Sequence, residues 1–210
     1  MSFRTLFLNL ASHMGSLACI DASRVVASAA VDHRISDSDL VPLFTKVLDD
    51  AGWKQESIER IACVIGPGGF TSLRVAVAFA NTLSYALNIP VAAVHLSDLY
   101  ATRVRVCHPE LVEGFLWLHS TKKMQLFVRG FGTMRDRYPE ATLLTLDALT
   151  ADFPKGLPWA GELIPEHEAA VTAAGGERAK MRDIAVILPD FVESLKYEKQ
   201  TLLPWYGRGW

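Results

Sequence analysis

The feature that most constrains the fold of this chain is a turn, Gly66-Pro67-Gly68-Gly69-Phe70-Thr71-Ser72-Leu73-Arg74, set between two apolar segments. Before it, Ile61-Ala62-Cys63-Val64-Ile65 reads as a buried strand. After it, residues 71–87 read as a helix, rich in small residues and apolar around most of its circumference. A strand, a glycine-rich turn and a helix in that order bring backbone close to another group. That group is a phosphate, a second helix or a partner protein. The function question is largely which of these it is.

Two phosphate-binding motifs do not fit the turn. A Walker A loop requires a lysine that is absent here. A dinucleotide fingerprint needs a third glycine where Thr71 stands, and an acidic residue about 20 positions further on. Gly66, Gly68 and Gly69 therefore remain only candidates for an anion-proximal nest, with Ser12 beside them. The alternative is a structural role, in which these glycines let the helix lie close to the sheet.

Residues 5–12, 16–21 and 24–31 read as three strands with short connections, so an antiparallel meander is expected. A polar break at residues 33–38 precedes a helix over residues 40–51, capped by Asp37 or Ser38 and closed by Gly52. The strand at residue 61, the helix at residue 71 and a strand at residues 91–94 complete a first half with a mixed sheet. After a break at residues 107–110, strands are expected at residues 114–119, 125–130 and 141–146, the first two as a hairpin. Short helices are expected at residues 166–174 and 189–196. The expected division is a first lobe of residues 1–105 and a smaller second lobe of residues 106–210.

With 210 residues and a net charge of −2, the chain has the composition of a globular protein, not of an autonomous nucleic-acid binder. Lys122, Lys123, Arg129, Arg135 and Arg137 read as its basic concentration. Cys19, Cys63 and Cys107 are odd in number and far apart, which reads as free thiols in a reducing cytosol. No signal peptide or membrane span is expected, and the expected location is cytoplasmic. No metal site is expected, because neither H-E-x-x-H nor C-x-x-C occurs. Ser12, His13 and Asp21 lack the G-x-S-x-G setting of a hydrolase, and no catalytic residue is assigned.

At the glycine turn the chain resembles the TsaB family, also called YeaZ. That family's GPGSFTGLR stands here as GPGGFTSLR, with Gly69 in place of Ser and Ser72 in place of Gly. The following helix, the segment at residues 89–97 and the closing Pro204-Trp205-Tyr206-Gly207-Arg208 are also similar to the family's. The resemblance implies an α/β, two-lobed actin/Hsp70-like (RNase-H-like) ATPase fold with mixed sheets flanked by helices. It implies a non-catalytic dimerisation subunit that pairs with a TsaD-like protein. The pair would support formation of N6-threonylcarbamoyladenosine at position 37 of tRNA. A TsaE-like ATPase would join the complex, the chain alone would form a homodimer, and tRNA would be met only indirectly.

The implied partner interface is Phe70, Thr71, Leu73, Arg74, Val77, Ala80, Asn81 and Ser84. On that reading Ala80→Arg would abolish pairing and leave the fold intact. No cofactor is expected on the chain alone, and ATP or ADP would enter only within the complex. Three departures from the family pattern stand out. Leu10 occupies the position of the family's first-strand Asp, and Ser36 stands where a family His is found. Only the basic pair survives in the segment Ser120-Thr121-Lys122-Lys123-Met124-Gln125-Leu126-Phe127. The competing readings are a nucleotide-dependent kinase or acyltransferase of the same superfamily, and a metal-dependent glycoprotease-like peptidase.

Overall fold

The structure is a computed structural model that describes residues 3–21, 23–31, 37–108 and 114–207. The chain forms two compact units. One combines Met1–Leu96 with Ile184–Arg208, and the other is Ser97–Asp183.

The first unit opens with the expected meander, β1 (Arg4–Asn9), β2 (Gly15–Asp21) and β3 (Arg24–Val31). Then come α1 (Asp37–Ala51), β4 (Arg60–Gly66), α2 (Phe70–Leu87) and β5 (Val91–His95). The sheet order is β3-β2-β1-β4-β5. Leu6 lies opposite Cys19 in the antiparallel β1–β2 pair and beside Ile61 in the parallel β1–β4 pair. A parallel neighbour needs a crossover, and the two apolar helices supply them. From α1, Leu40, Phe44, Val47 and Leu48 are buried. Phe44 meets Phe79 of α2 edge-on, with ring centroids 5.2 Å apart.

The second unit carries α3 (Leu96–Cys107), β6 (Phe115–Lys122), β7 (Gln125–Phe131), β8 (Thr142–Thr145), α4 (Leu146–Thr150), β9 (Pro158–Glu162), α5 (Pro165–Ala173) and β10 (Glu177–Arg178). Its sheet order is β10-β9-β6-β7-β8, with β6 and β7 as the expected hairpin and β9 parallel to β6. The core is Leu116, Leu118, Leu126, Val128, Leu149, Phe153, Trp159 and Val171. Ser120 and His167 lock the hairpin turn to α5. The Ser120 hydroxyl lies 2.9 Å from His167 Nδ1, and His167 Nε2 lies 2.9 Å from the Lys123 carbonyl.

The chain then returns to the first unit as α6 (Ile184–Glu193), which packs on β2 and β3. Arg60, 6% exposed, ties β4 to this helix. It is ion-paired with Glu193, donates to Thr5 Oγ1 at 2.7 Å and lies between the rings of Phe3 and Tyr197. The tail continues beside β5, where Val91 and Glu198 exchange backbone hydrogen bonds of 2.9 and 3.0 Å.

The fold class stands as the sequence indicated. The division at residues 105/106 does not, because residues 184–207 bury Ile187, Leu188, Phe191, Val192 and Leu202 in the first unit. The helix expected at residue 189 begins at Ile184, with Pro189 inside it instead of at its first position. α3, α4, β9 and β10 were not anticipated. The capping side chains of Asp37 and Ser38, and all of Ser36 and Arg208, lie outside the described residues.

Candidate functional site: the glycine turn and the α2 face

Three stretches of backbone converge on the glycine turn. Gly66 ends β4 with φ +145°, a conformation L side chains rarely adopt, and a Cβ there would collide with the Trp205 carbonyl oxygen. A Cβ at Gly68 would collide with the Ala11 backbone. The Trp205 N–H donates to the Ile65 carbonyl at 2.7 Å, and its indole meets His95 edge-on at 4.7 Å. The group that the two glycines admit is thus the chain's own backbone, from the end of β1 and from the C-terminal tail. Gly69 differs. It is the N-cap of α2 with φ −60° and ψ 123°, and a Cβ there would make only ordinary contacts with Ser72.

Ser12 is engaged in its own turn. Its N–H donates to Asn9 Oδ1 at 3.3 Å, and its Oγ accepts the Met14 N–H at 3.0 Å. Leu10 is 2% exposed and belongs to the main core. The fold family implies phosphates and a hydrated metal at the end of the first strand, and such a metal needs carboxylate oxygens. The residues present do not fit that group, because Leu10 supplies only methyl groups and the turn is packed with backbone. Asp21 pairs with Arg4 at the opposite end of β1 from Ser12 and His13, so these three form no triad.

The sequence-predicted interface residues divide by burial. Leu73, Val77 and Ala80 are buried in the chain's own core, at 0%, 3% and 0% exposure. They face the sheet together with Ser72, Ala76 and Leu83, following the i, i+3, i+4 spacing of a buried helical stripe. They are therefore corrected from interface to core. Asn81 is half-buried and holds the tail: its Nδ2 donates to the Leu202 carbonyl at 3.0 Å, and its Oδ1 accepts the Leu202 N–H at 2.9 Å. Ser84 donates to the Ile89 carbonyl at 2.7 Å.

Phe70, Thr71 and Arg74 are exposed, and Ala78, Thr82 and Tyr85 continue the same face. Arg74 Nε donates to the Tyr206 hydroxyl at 3.2 Å, and its guanidinium lies 3.8 Å over the Phe70 ring. Phe70 and Tyr206 are 4.8 Å apart. The first turn of α2 thus carries a cation–aromatic cluster completed by the tail. Tyr85, 91% exposed, ends the face.

Two further expectations are refined. Arg129 is paired with Asp98 at 2.8 Å and Ser97 at 2.7 Å, and Arg137 with Asp152 at 2.7 Å. The expected basic concentration is therefore partly neutralised within the unit. Burial pushes the thiols of Cys19 and Cys63 up to about 12, so both are inert at neutral pH. Among the described residues no helix is long and apolar enough to cross a membrane.

The sequence model of one family, "TsaD: tRNA N6-adenosine threonylcarbamoyltransferase", matches residues 29–191. Two curated proteins named tRNA N6-adenosine threonylcarbamoyltransferase are similar to part of the chain. The one from Legionella pneumophila (strain Corby) is 37% identical over 79 residues, covering 38% of this chain and 24% of that protein. The one from Moorella thermoacetica is 35% identical over 79 residues, covering 37% and 22%. The match thus spans less than a quarter of the length of either relative.

Two solved Pseudomonas aeruginosa structures share the fold. A protein described as similar to peptidase YeaZ has a TM-score of 0.71 at 20% identity, covering 98% of this chain and all of that one. YeaZ itself has a TM-score of 0.69 at 17% identity, covering 97% and 99%. The actin-like architecture is therefore that of YeaZ, and the family match takes in α1, the glycine turn, α2 and the whole second unit. The chain belongs to the TsaD family, the tRNA N6-adenosine threonylcarbamoyltransferase family.

Proposed function

We propose that the chain is a non-catalytic scaffold subunit of the TsaB kind. It pairs with a TsaD-like protein in forming N6-threonylcarbamoyladenosine at position 37 of tRNA. The observation that carries this reading is the filling of the glycine turn. Backbone from Ala11 and Trp205 takes the space beside Gly68 and Gly66, and Leu10 offers no carboxylate. The transfer chemistry then falls to the partner, and ATP or ADP enters only with the complex.

What the chain offers outward is the α2 face. α2 has no acidic residue, and small residues at Ala78 and Thr82 let a partner helix approach closely. Arg74 presents a planar fork suited to a partner carboxylate. In the partner's absence a second copy covers the same face. A TsaE-like ATPase completes the assembly.

The test is size-exclusion chromatography with light scattering on the chain, alone and mixed with the TsaD-like protein of the same genome. A one-to-one or two-to-two complex is expected, together with threonylcarbamoyl transfer that needs both proteins. The reading fails if the chain ignores the partner. Saturable ATP binding by the chain alone would favour a kinase or acyltransferase instead.

A further inference from the structure

We propose that the edge segment at residues 177–183 of the second unit, with Arg103 beside it, is a contact track for the phosphate backbone of RNA. This inference rests on the reading that the chain works in tRNA modification, but it concerns a surface distant in sequence from the glycine turn.

Residues 177–183 read Glu-Arg-Ala-Lys-Met-Arg-Asp. The segment begins as β10, the edge strand of its sheet. It continues without turn or bend to the start of α6, and the Ala179 N–H extends the ladder by donating to the Trp159 carbonyl at 2.8 Å. In an extended chain successive side chains point to opposite faces. Alternation continued from β10 through residue 182 turns Arg178, Lys180 and Arg182 to one face and Ala179 and Met181 to the other.

Burial alternates over residues 178–182 only, because Glu177 and Asp183 at the two ends are exposed as well. Arg178, Lys180 and Arg182 are exposed, and Ala179 and Met181 are half-buried. The two carboxylates of the segment, Glu177 and Asp183, stand at its two ends. In an extended chain alternate residues recur about every 6.6 Å, two strand rises.

A fourth cation is fixed to the same track. The Arg182 N–H donates to the Arg103 carbonyl at 3.0 Å, and Arg103 Nε donates to the Arg182 carbonyl at 2.9 Å. This reciprocal clasp ties the Arg103 side chain to the backbone of Arg182, and the Arg103 guanidinium lies 5.0 Å over the Tyr100 ring. Arg178 is paired with Glu168 at 2.7 Å. Lys180, Arg182 and Arg103 carry no ion pair among the described residues. A row of exposed cations recognises backbone charge, not base sequence.

The experiment measures binding of fluorescently labelled tRNA transcript, and of an unrelated RNA of equal length, by fluorescence anisotropy across a salt series. The full chain is used, alone and with its TsaD-like partner. Lys180→Gln/Arg182→Gln is compared with Lys122→Gln/Lys123→Gln as a control of equal charge. The first double variant should weaken both RNAs about tenfold or more at ~0.1 M salt, and lower the slope of log affinity against log salt by about one per cation. The control should change little.

Unchanged RNA binding in the first variant, equal losses in both variants, or no RNA binding by the wild-type chain in either setting would each overturn the proposal. Loss of partner pairing with RNA binding unchanged would also overturn it, and would assign the track to an acidic protein surface. If pairing fails in the wild type but RNA binding depends on Lys180 and Arg182, the scaffold reading falls and this one stands.

Discussion

Gly66 and Gly69 stand three residues apart in one turn and tolerate opposite changes. Gly66 has positive φ and the Trp205 carbonyl against it, so Gly66→Ala should destabilise the protein by roughly 2–3 kcal/mol through strain and collision. Gly69 has an ordinary φ, open space and an N-cap position, so Gly69→Ser should stabilise by about 0.5 kcal/mol. Urea unfolding of the two variants checks both signs. A neutral Gly66→Ala would mean that the tail does not press on the turn. The glycine-rich pattern was legible in the sequence, but the reason for each glycine was not, because the groups that approach Gly66 and Gly68 come from residues 205 and 11.

At the scale of the element, α2 is a helix with a committed inner face and a free outer one. Ala80→Arg would place an unpaired charge in a filled core and should cost roughly 4 kcal/mol or more, so it cannot test pairing. Ala78→Arg is the proper probe. It should leave the melting temperature within about 2 °C and abolish the complex with the TsaD-like partner in light scattering; retained pairing would remove the outer face from the interface. The C-terminal tail is the element that completes the first unit. Removing residues 202–210 deletes buried Leu202 and leaves Asn81 without its two backbone partners. The melting temperature should then fall by several degrees, at about 2–4 °C per kcal/mol for a chain of this size. A truncated chain that melts like the full one would show that the strap adds no stability.

For the whole molecule, three buried groups of the first unit make stability depend on pH on the alkaline side. Burial pushes the thiols of Cys19 and Cys63 up from 9.0 to about 12, and burial likewise pushes Tyr197 up from 10.0 to about 12. Each group therefore holds its proton more tightly folded than unfolded. The stability this provides is fully present below about pH 9 and is lost progressively as pH rises towards 12. Urea midpoints should be flat in these groups' contribution up to about pH 9 and decline above it. Midpoints unchanged to pH 11 would contradict the burial of both thiols. At this scale the two units differ in how they were read. The meander, both crossovers and the β6–β7 hairpin followed from strong local patterns. α3 was missed although Leu96, Leu99, Tyr100 and Val104 recur at helical spacing, because its charged positions dilute the stripe. The alternation Arg-Ala-Lys-Met-Arg at residues 178–182 was equally visible, but it became a surface feature only once an edge strand was known to precede it.

The sequence by itself determined the strand–turn–helix unit at residues 61–87, the mixed sheet around it and the family, because these rest on periodicity, turn chemistry and a contiguous motif. Only the tertiary structure decided what the motif is for within the fold. Periodicity states that α2 is apolar nearly all round, but not which apolar positions face the sheet, and that choice moved Leu73, Val77 and Ala80 from partner surface to core. Composition places an aromatic tail at the C-terminus, but its destination depends on a contact across 139 positions, from Gly66 to Trp205. Contacts of that sequence separation leave no local trace in either segment, so the occupant of the glycine turn is settled by the packing of the chain against itself.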